Sequence, residues 1–255
     1  MTERGISGVV VAAALAALLV SACGGGRNHG VAGARVTLAP LCTAGQQRPV
    51  GSTRMSWAAV VVRPALAYRA PARARIARFG LLNVNGVSMV FGVLGEQVDA
   101  RCRPRWLHVL LPLRPNGATG WVRASHVQLV RVRTRIVVDL SERRVRFYKR
   151  GRLVLSSTAA VGSSATPTPL GRYYVNQRLI PRDPGGPFGP GAVGISAFSP
   201  VLTGWTQGGP IAIHGTNEPW SIGRAVSNGC IRLPNPVLRK LFAQTPSGTP
   251  VLIRR

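Results

Sequence analysis

Between Trp57 and Val130 the chain alternates short apolar runs with Pro and Gly punctuation, at residues 59–62, 88–91 and 106–111. Runs of four to six apolar residues bounded by turn formers are too short for helices and predict the strands of a small β-domain. From Arg135 a second series begins, at residues 136–140, 145–148 and 153–155, with polar turns at 141–144 and 149–152. Val145-Arg146-Phe147-Tyr148 starts as a strict apolar–polar alternation, so that strand buries one face and wets the other. The stretch from Gly185 to Gly194 is dense in Gly and Pro and can be neither helix nor central strand. It predicts a surface loop near a functional site. Near the C-terminus, Val237, Leu238, Leu241 and Phe242 recur with helical spacing behind Asn235-Pro236, which predicts a short helix capped by Asn235.

The N-terminal pattern differs. Residues 9–20 form an uncharged apolar run behind Arg4, too short to span a bilayer and typical of a secretory signal. The run ends in Val20-Ser21-Ala22-Cys23, which resembles a bacterial lipobox, and Gly24-Gly25-Gly26 follows as a flexible tether. The expected organisation is a signal peptide at 1–22, a lipid anchor on Cys23 with a linker to residue 56, one β-domain at 57–130 and a second at 135–254. Such a protein is extracytoplasmic, anchored to the cell membrane and facing the wall. An exported chain can form disulfides, and Cys42 with Cys102 is the expected pair, although spacing does not decide connectivity. Cys230 is left as a free thiol, a liability outside the cell unless it is buried or reactive.

Composition supports a folded chain, since 45% of residues are hydrophobic and only 16% are charged. Charge adds a possible class of partner. Thirty-three basic against seven acidic residues give a net charge of +26, carried almost wholly by arginine. The arginines are scattered, and no nucleic-acid-binding motif accompanies them, so nucleic acid is not an expected partner. A solvated arginine-rich surface accounts for the charge, and attraction to anionic wall polymers or lipid headgroups is the alternative.

The chemistry concentrates in Ile211-Ala212-Ile213-His214-Gly215-Thr216 and Ser227-Asn228-Gly229-Cys230-Ile231-Arg232-Leu233. A cysteine attacks as its thiolate, and a neighbouring imidazole takes the proton and stabilises the anion. Gly215 and Gly229 let backbone approach the reacting centre, and N–H groups around Gly229 and Cys230 can form an oxyanion hole. Glu218 is the only acid after His214, so a backbone carbonyl at or near Gly215 is the expected orienter of the imidazole. One His and one Cys make half a zinc set, so neither metal nor cofactor is expected.

These two motifs resemble the signature of the L,D-transpeptidase (YkuD-type) catalytic domain, a His, a gap, then Ser/Thr-His-Gly-Cys with Arg or Asn two residues on. Val161-Gly162 and Thr168-Pro169-Leu170-Gly171-Arg172-Tyr173 match the same family's upstream text, and Asn228 stands where the family commonly has His. The resemblance spans roughly 135–254. It implies a mainly β fold, a YkuD-type β-sandwich with a short helix after the cysteine loop. It also implies Cys230 as nucleophile, His214 as base, and a tetrapeptide stem of peptidoglycan as acyl donor, joined to a neighbouring stem in a 3-3 cross-link. Ser227, Asn228, Thr216 and Arg232 become candidate substrate contacts, with Arg232 suited either to a substrate carboxylate or to a structural ion pair. An L,D-carboxypeptidase and a catalytically silent wall-binding lipoprotein are the alternatives. Upstream, Trp106 to Val127, with Asn116-Gly117 as a tight turn and Gly120-Trp121-Val122 beyond it, resembles the closing half of a bacterial SH3-like barrel. That module either touches wall peptides or is a spacer whose Trp106 and Trp121 fill a core.

Overall fold

The computed structural model describes residues 42–255, so the signal segment, Cys23 and its glycine tether lie outside the described residues. The fold is mainly β, with a single α-helix among the described residues.

The first sheet is built from β1 (Gln47–Pro49), β2 (Ser56–Val61), β3 (Ala65–Ala70), β4 (Arg73–Phe79), β5 (Val90–Val98), β6 (Pro104–Leu110), β7 (Thr119–Arg123) and β8 (Val127–Val132). Its order is β4-β3-β7-β6-β5-β2-β8, with β1 alongside β5. Phe91, Leu107, Val109 and Val122 fill the core of this sheet. Because side chains alternate across a strand, Trp106 and His108 then face the other way from Leu107 and Val109. There His108 stacks on Trp121 at 4.9 Å, and the Arg123 guanidinium lies 4.7 Å from the Trp106 ring centroid. The two tryptophans are nearly buried, yet they lie outside the aliphatic core. A disulfide joins Cys42 to Cys102, Cα to Cα 5.3 Å, and so holds the residues before β1 to the β5–β6 connection.

One sequence expectation in this region fails. Asn116-Gly117 does not make a two-residue hairpin, because eight residues separate β6 from β7. The longer loop contains a cis peptide before Pro115, and Gly117 takes φ +81°.

The second series comprises β9 (Thr134–Asp139), β10 (Arg144–Lys149), β11 (Arg152–Thr158), β12 (Val161–Gly162), β13 (Gly171–Leu179), β14 (Ala192–Phe198), β15 (Pro210–His214), β16 (Ala225–Ser227), β17 (Ile231–Arg232), α1 (Asn235–Gln244) and β18 (Pro250–Arg254). Eight of these strands form a sheet in the order β11-β10-β9-β18-β13-β14-β15-β17, while β12 and β16 pair separately in parallel. The alternation in β10 holds: Val145 and Phe147 are fully buried in a core with Ile136, Val138, Ile213, Ile231 and Leu233. Leu238 and Leu241 of α1 close that core, with Val237 and Phe242 packed at its margin. Where the two sheets meet, Gly92 lies so close to Tyr174 that a Cβ there would come within 3.0 Å of the ring.

Candidate active site

The site is built on the parallel pair β15–β17. Ile213 sits opposite Ile231 and His214 opposite Arg232. Ile213 and Ile231 are fully buried in the core, so alternation turns His214, Arg232 and Cys230, two residues before Arg232, toward the other face. Strand pairing brings the predicted base and nucleophile to one face. The cysteine loop precedes β17 just as residues 199–209 precede β15, and both therefore lie at the same end of the pair.

His214 is buried, and its Nδ1 lies 2.5 Å from the Gly215 carbonyl oxygen. A carbonyl only accepts, so Nδ1 carries the proton and Nε2 keeps the free lone pair. The Phe188 ring meets the imidazole edge-on at 5.0 Å. Burial pushes the imidazole down to about 4, the Gly215 carbonyl opposes this, and the Arg232 charge adds to it. The base is therefore neutral at rest. At Cys230, which keeps part of its surface open, burial pushes the thiol up, against the Ala212 N–H and the Arg232 charge, which pull it down. The resting pair is thiol and neutral imidazole.

Hydroxyls hold the loop that carries the thiol. Thr168, itself buried, accepts the Gly162 N–H and donates to the Gly229 carbonyl, both at 2.8 Å. Thr166 donates to the Ser227 carbonyl at 2.9 Å. The Ser227 hydroxyl donates to the Cys230 carbonyl at 2.6 Å and accepts the Gly229 N–H at 3.2 Å. Gly229 adopts φ +106°, a conformation that side chains disfavour.

Several sequence assignments change here. Ser227 is buried and braces the loop instead of facing substrate, and the Gly229 N–H that was to line an oxyanion hole is engaged by that same serine. Thr216 is buried; its hydroxyl accepts the Glu218 N–H at 2.9 Å, and its own N–H donates to Asn235 Oδ1 at 2.8 Å. Asn235 thus serves the histidine loop and does not cap α1, whose N-cap position is Pro234. Gly215 is needed because a Cβ there would overlap Asn235 Oδ1 and come within 2.7 Å of Pro190. Arg232 is ion-paired with Glu218, so the structural alternative describes it. Asn228 is exposed, where a substrate can reach it. Among the described residues, no cluster of three or more His, Cys, Asp or Glu is arranged to hold a metal.

Thr168 and Asn235 support the site through hydrogen bonds to Gly229 and Thr216 that nothing in their sequence neighbourhood announces. Phe188 packs on His214 from a loop whose Gly and Pro density marks its position but not this contact.

Residues 133–253 match the family model of the L,D-transpeptidase catalytic domain, YkuD. Over 119 residues the chain is 43% identical to the Bacillus licheniformis protein YkuD, covering 47% of this chain and 64% of that protein. Over 120 residues it is 38% identical to the Bacillus subtilis protein of the same name, covering 47% and 65%. The chain thus spans a little under two thirds of the length of these curated relatives. The NMR structure of the catalytic domain from E. faecium L,D-transpeptidase is 27% identical, with a TM-score of 0.35, covering 47% of this chain and 95% of that one. This chain carries a YkuD L,D-transpeptidase catalytic domain over residues 133–253, and Cys230 and His214 both lie within it.

Proposed function

We propose that the protein is a peptidoglycan L,D-transpeptidase acting through a Cys230 thioester. The observation that supports this most is the Nδ1 contact of His214 with the Gly215 carbonyl, which leaves Nε2 as a proton acceptor on the face shared with Cys230. In this reading the thiol proton passes to Nε2 as sulfur bonds to the carbonyl carbon preceding the terminal D-alanine of a tetrapeptide stem. The tetrahedral oxyanion forms beside the Cys230 N–H. Its collapse breaks the C–N bond, and the imidazolium returns the proton to the departing D-alanine amine. The amine of a neighbouring stem then attacks the thioester, releases the thiol and leaves a 3-3 cross-link.

Purified tetrapeptide muropeptides test this by mass spectrometry. Wild type should release D-alanine, show a transient adduct and yield cross-linked dimer, and Cys230→Ala should do none of these. Tripeptide without dimer would assign a carboxypeptidase instead. Absence of any turnover in folded protein would leave the silent wall-binding reading. A carbapenem, whose strained ring offers an acyl carbon to the same sulfur, should add to Cys230, with labelling unaffected by Cys42→Ser and Cys102→Ser.

We read residues 57–130 as an SH3-like module and Cys23 as a lipid anchor holding the protein outside the cell membrane. The lipobox-like text and the glycine tether support the anchor. Cys23→Ser should release the protein from membranes, and undiminished pelleting would refute the anchor. The net charge of +26 supports attraction to anionic wall polymers.

A further inference from the structure

Most side-chain hydrogen bonds from the first sheet's loops to the second sheet converge on Phe198 and the connection that follows it, and the others reach Gln177 in β13. Asn116, in the β6–β7 loop, behaves as an added strand residue toward Phe198: its Nδ2 donates to the Phe198 carbonyl at 2.7 Å and its Oδ1 accepts the Phe198 N–H at 2.9 Å. Arg114, in the same loop, places its guanidinium 5.3 Å from the Phe198 ring centroid. It donates to the carbonyls of Ser199 at 2.8 Å and Gly208 at 2.6 Å. Asn85, in the β4–β5 connection, accepts from Gln207 Nε2 at 2.8 Å. Gln207 takes φ +60°, an uncommon conformation for a residue with a side chain, and this contact helps to hold it there.

The gripped segment, residues 199–209, connects β14 to β15. Arg114 bonds both of its ends, and Ser199 N–H donates to the Gly209 carbonyl at 2.7 Å across its base. Because β15 and β17 are parallel, this segment enters the pair at the same end as the cysteine loop. A Cβ on Gly229 would meet Ile211, the second residue of β15, at 3.0 Å. Val201 and Trp205 project from the segment, each more than half exposed. Large apolar side chains held in the open at the end of the strand pair that carries the nucleophile offer a surface for a ligand to cover.

We propose that the first sheet is a positioning element for the cysteine site: Arg114, Asn116 and Asn85 clamp residues 199–209 so that this segment walls the approach of the acyl donor to Cys230. The proposal rests on the transpeptidase reading. It assigns the N-terminal sheet a role beyond that of a spacer.

The full-length double variant Arg114→Ala with Asn116→Ala tests it by two readouts. Amide hydrogen exchange within 199–209 should quicken on the order of tenfold or more, since two groups of hydrogen bonds holding the segment are gone. KM for the tetrapeptide donor should rise about tenfold while kcat changes less than about twofold, because the wall acts on binding and the reacting groups are untouched. Arg114→Lys, which retains donors for the Ser199 and Gly208 carbonyls, should recover part of the KM. Iodoacetamide alkylation of Cys230 should keep the wild-type rate, a readout that general loosening of the catalytic sheet would move. A folded variant with faster exchange and wild-type KM would overturn the proposal, as would parallel losses of kcat and alkylation rate. Wild-type protein that turns over no tetrapeptide would overturn the underlying reading instead.

Discussion

Nδ1 of His214 lies 2.5 Å from the carbonyl oxygen of Gly215, its own neighbour in the chain. The contact fixes the tautomer without a carboxylate. It therefore works in a protein whose only acid beyond His214, Glu218, is ion-paired with Arg232. It also requires an unobstructed residue 215. Gly215→Ala should lower stability by about 1–3 kcal/mol, the usual cost of overpacking, and slow acylation of Cys230. Asn235→Ala in the same chain removes the principal clash, and urea titration of both single variants and the double should show a coupling of at least ~0.5 kcal/mol. Strict additivity would mean that the two residues do not compete for this space.

The buried histidine carries a stability signature. Its folded pKa, about 4, lies below its ordinary 6.5, so between these values the folded chain binds fewer protons than the unfolded one. The stabilising preference is present above pH 6.5 and disappears as pH falls through about 4, by roughly 3 kcal/mol in total. Urea titrations of wild type and His214→Gln at pH 7 and pH 4 should show the larger loss in wild type. Equal losses would mean that His214 ionises in the folded protein as it does in water.

A thiol raised by burial and facing a neutral imidazole is protonated at rest. Iodoacetamide should therefore alkylate Cys230 slowly at neutral pH, with a rate that climbs throughout pH 7–9. A plateau already reached below pH 7 would reveal a resting thiolate–imidazolium pair and contradict this electrostatic picture.

Thr168 joins the β12 turn to the cysteine loop through one hydroxyl that both accepts and donates. Thr168→Val keeps the shape and deletes both bonds, leaving the Gly162 N–H and the Gly229 carbonyl without this partner. A loss of about 1–3 kcal/mol in urea is expected, together with slower carbapenem acylation as the loop loosens. Unchanged values on both measures would show that water or a shifted backbone replaces the hydroxyl.

Sequence alone determined the strands whose apolar positions alternate or run together, such as Val145 and Phe147 in β10, because that periodicity reports directly which face is buried. It also located His214, the cysteine loop and the helix behind it, since residue type restricts this chemistry and the motif text is contiguous. Only the tertiary structure decided the partners of short polar side chains. Asn116 reads locally as a turn residue and bonds Phe198, 82 positions away. Thr168 reads as part of a strand opening and holds Gly229, 61 positions away. Asn235 reads as a helix cap and bonds Thr216, 19 positions back. A hydroxyl or amide has no preferred partner in the chain text; it takes whichever donor or acceptor packing brings within about 3 Å. Burial likewise set the protonation of the Cys230–His214 pair, and burial is a property of the assembled sheets rather than of either motif.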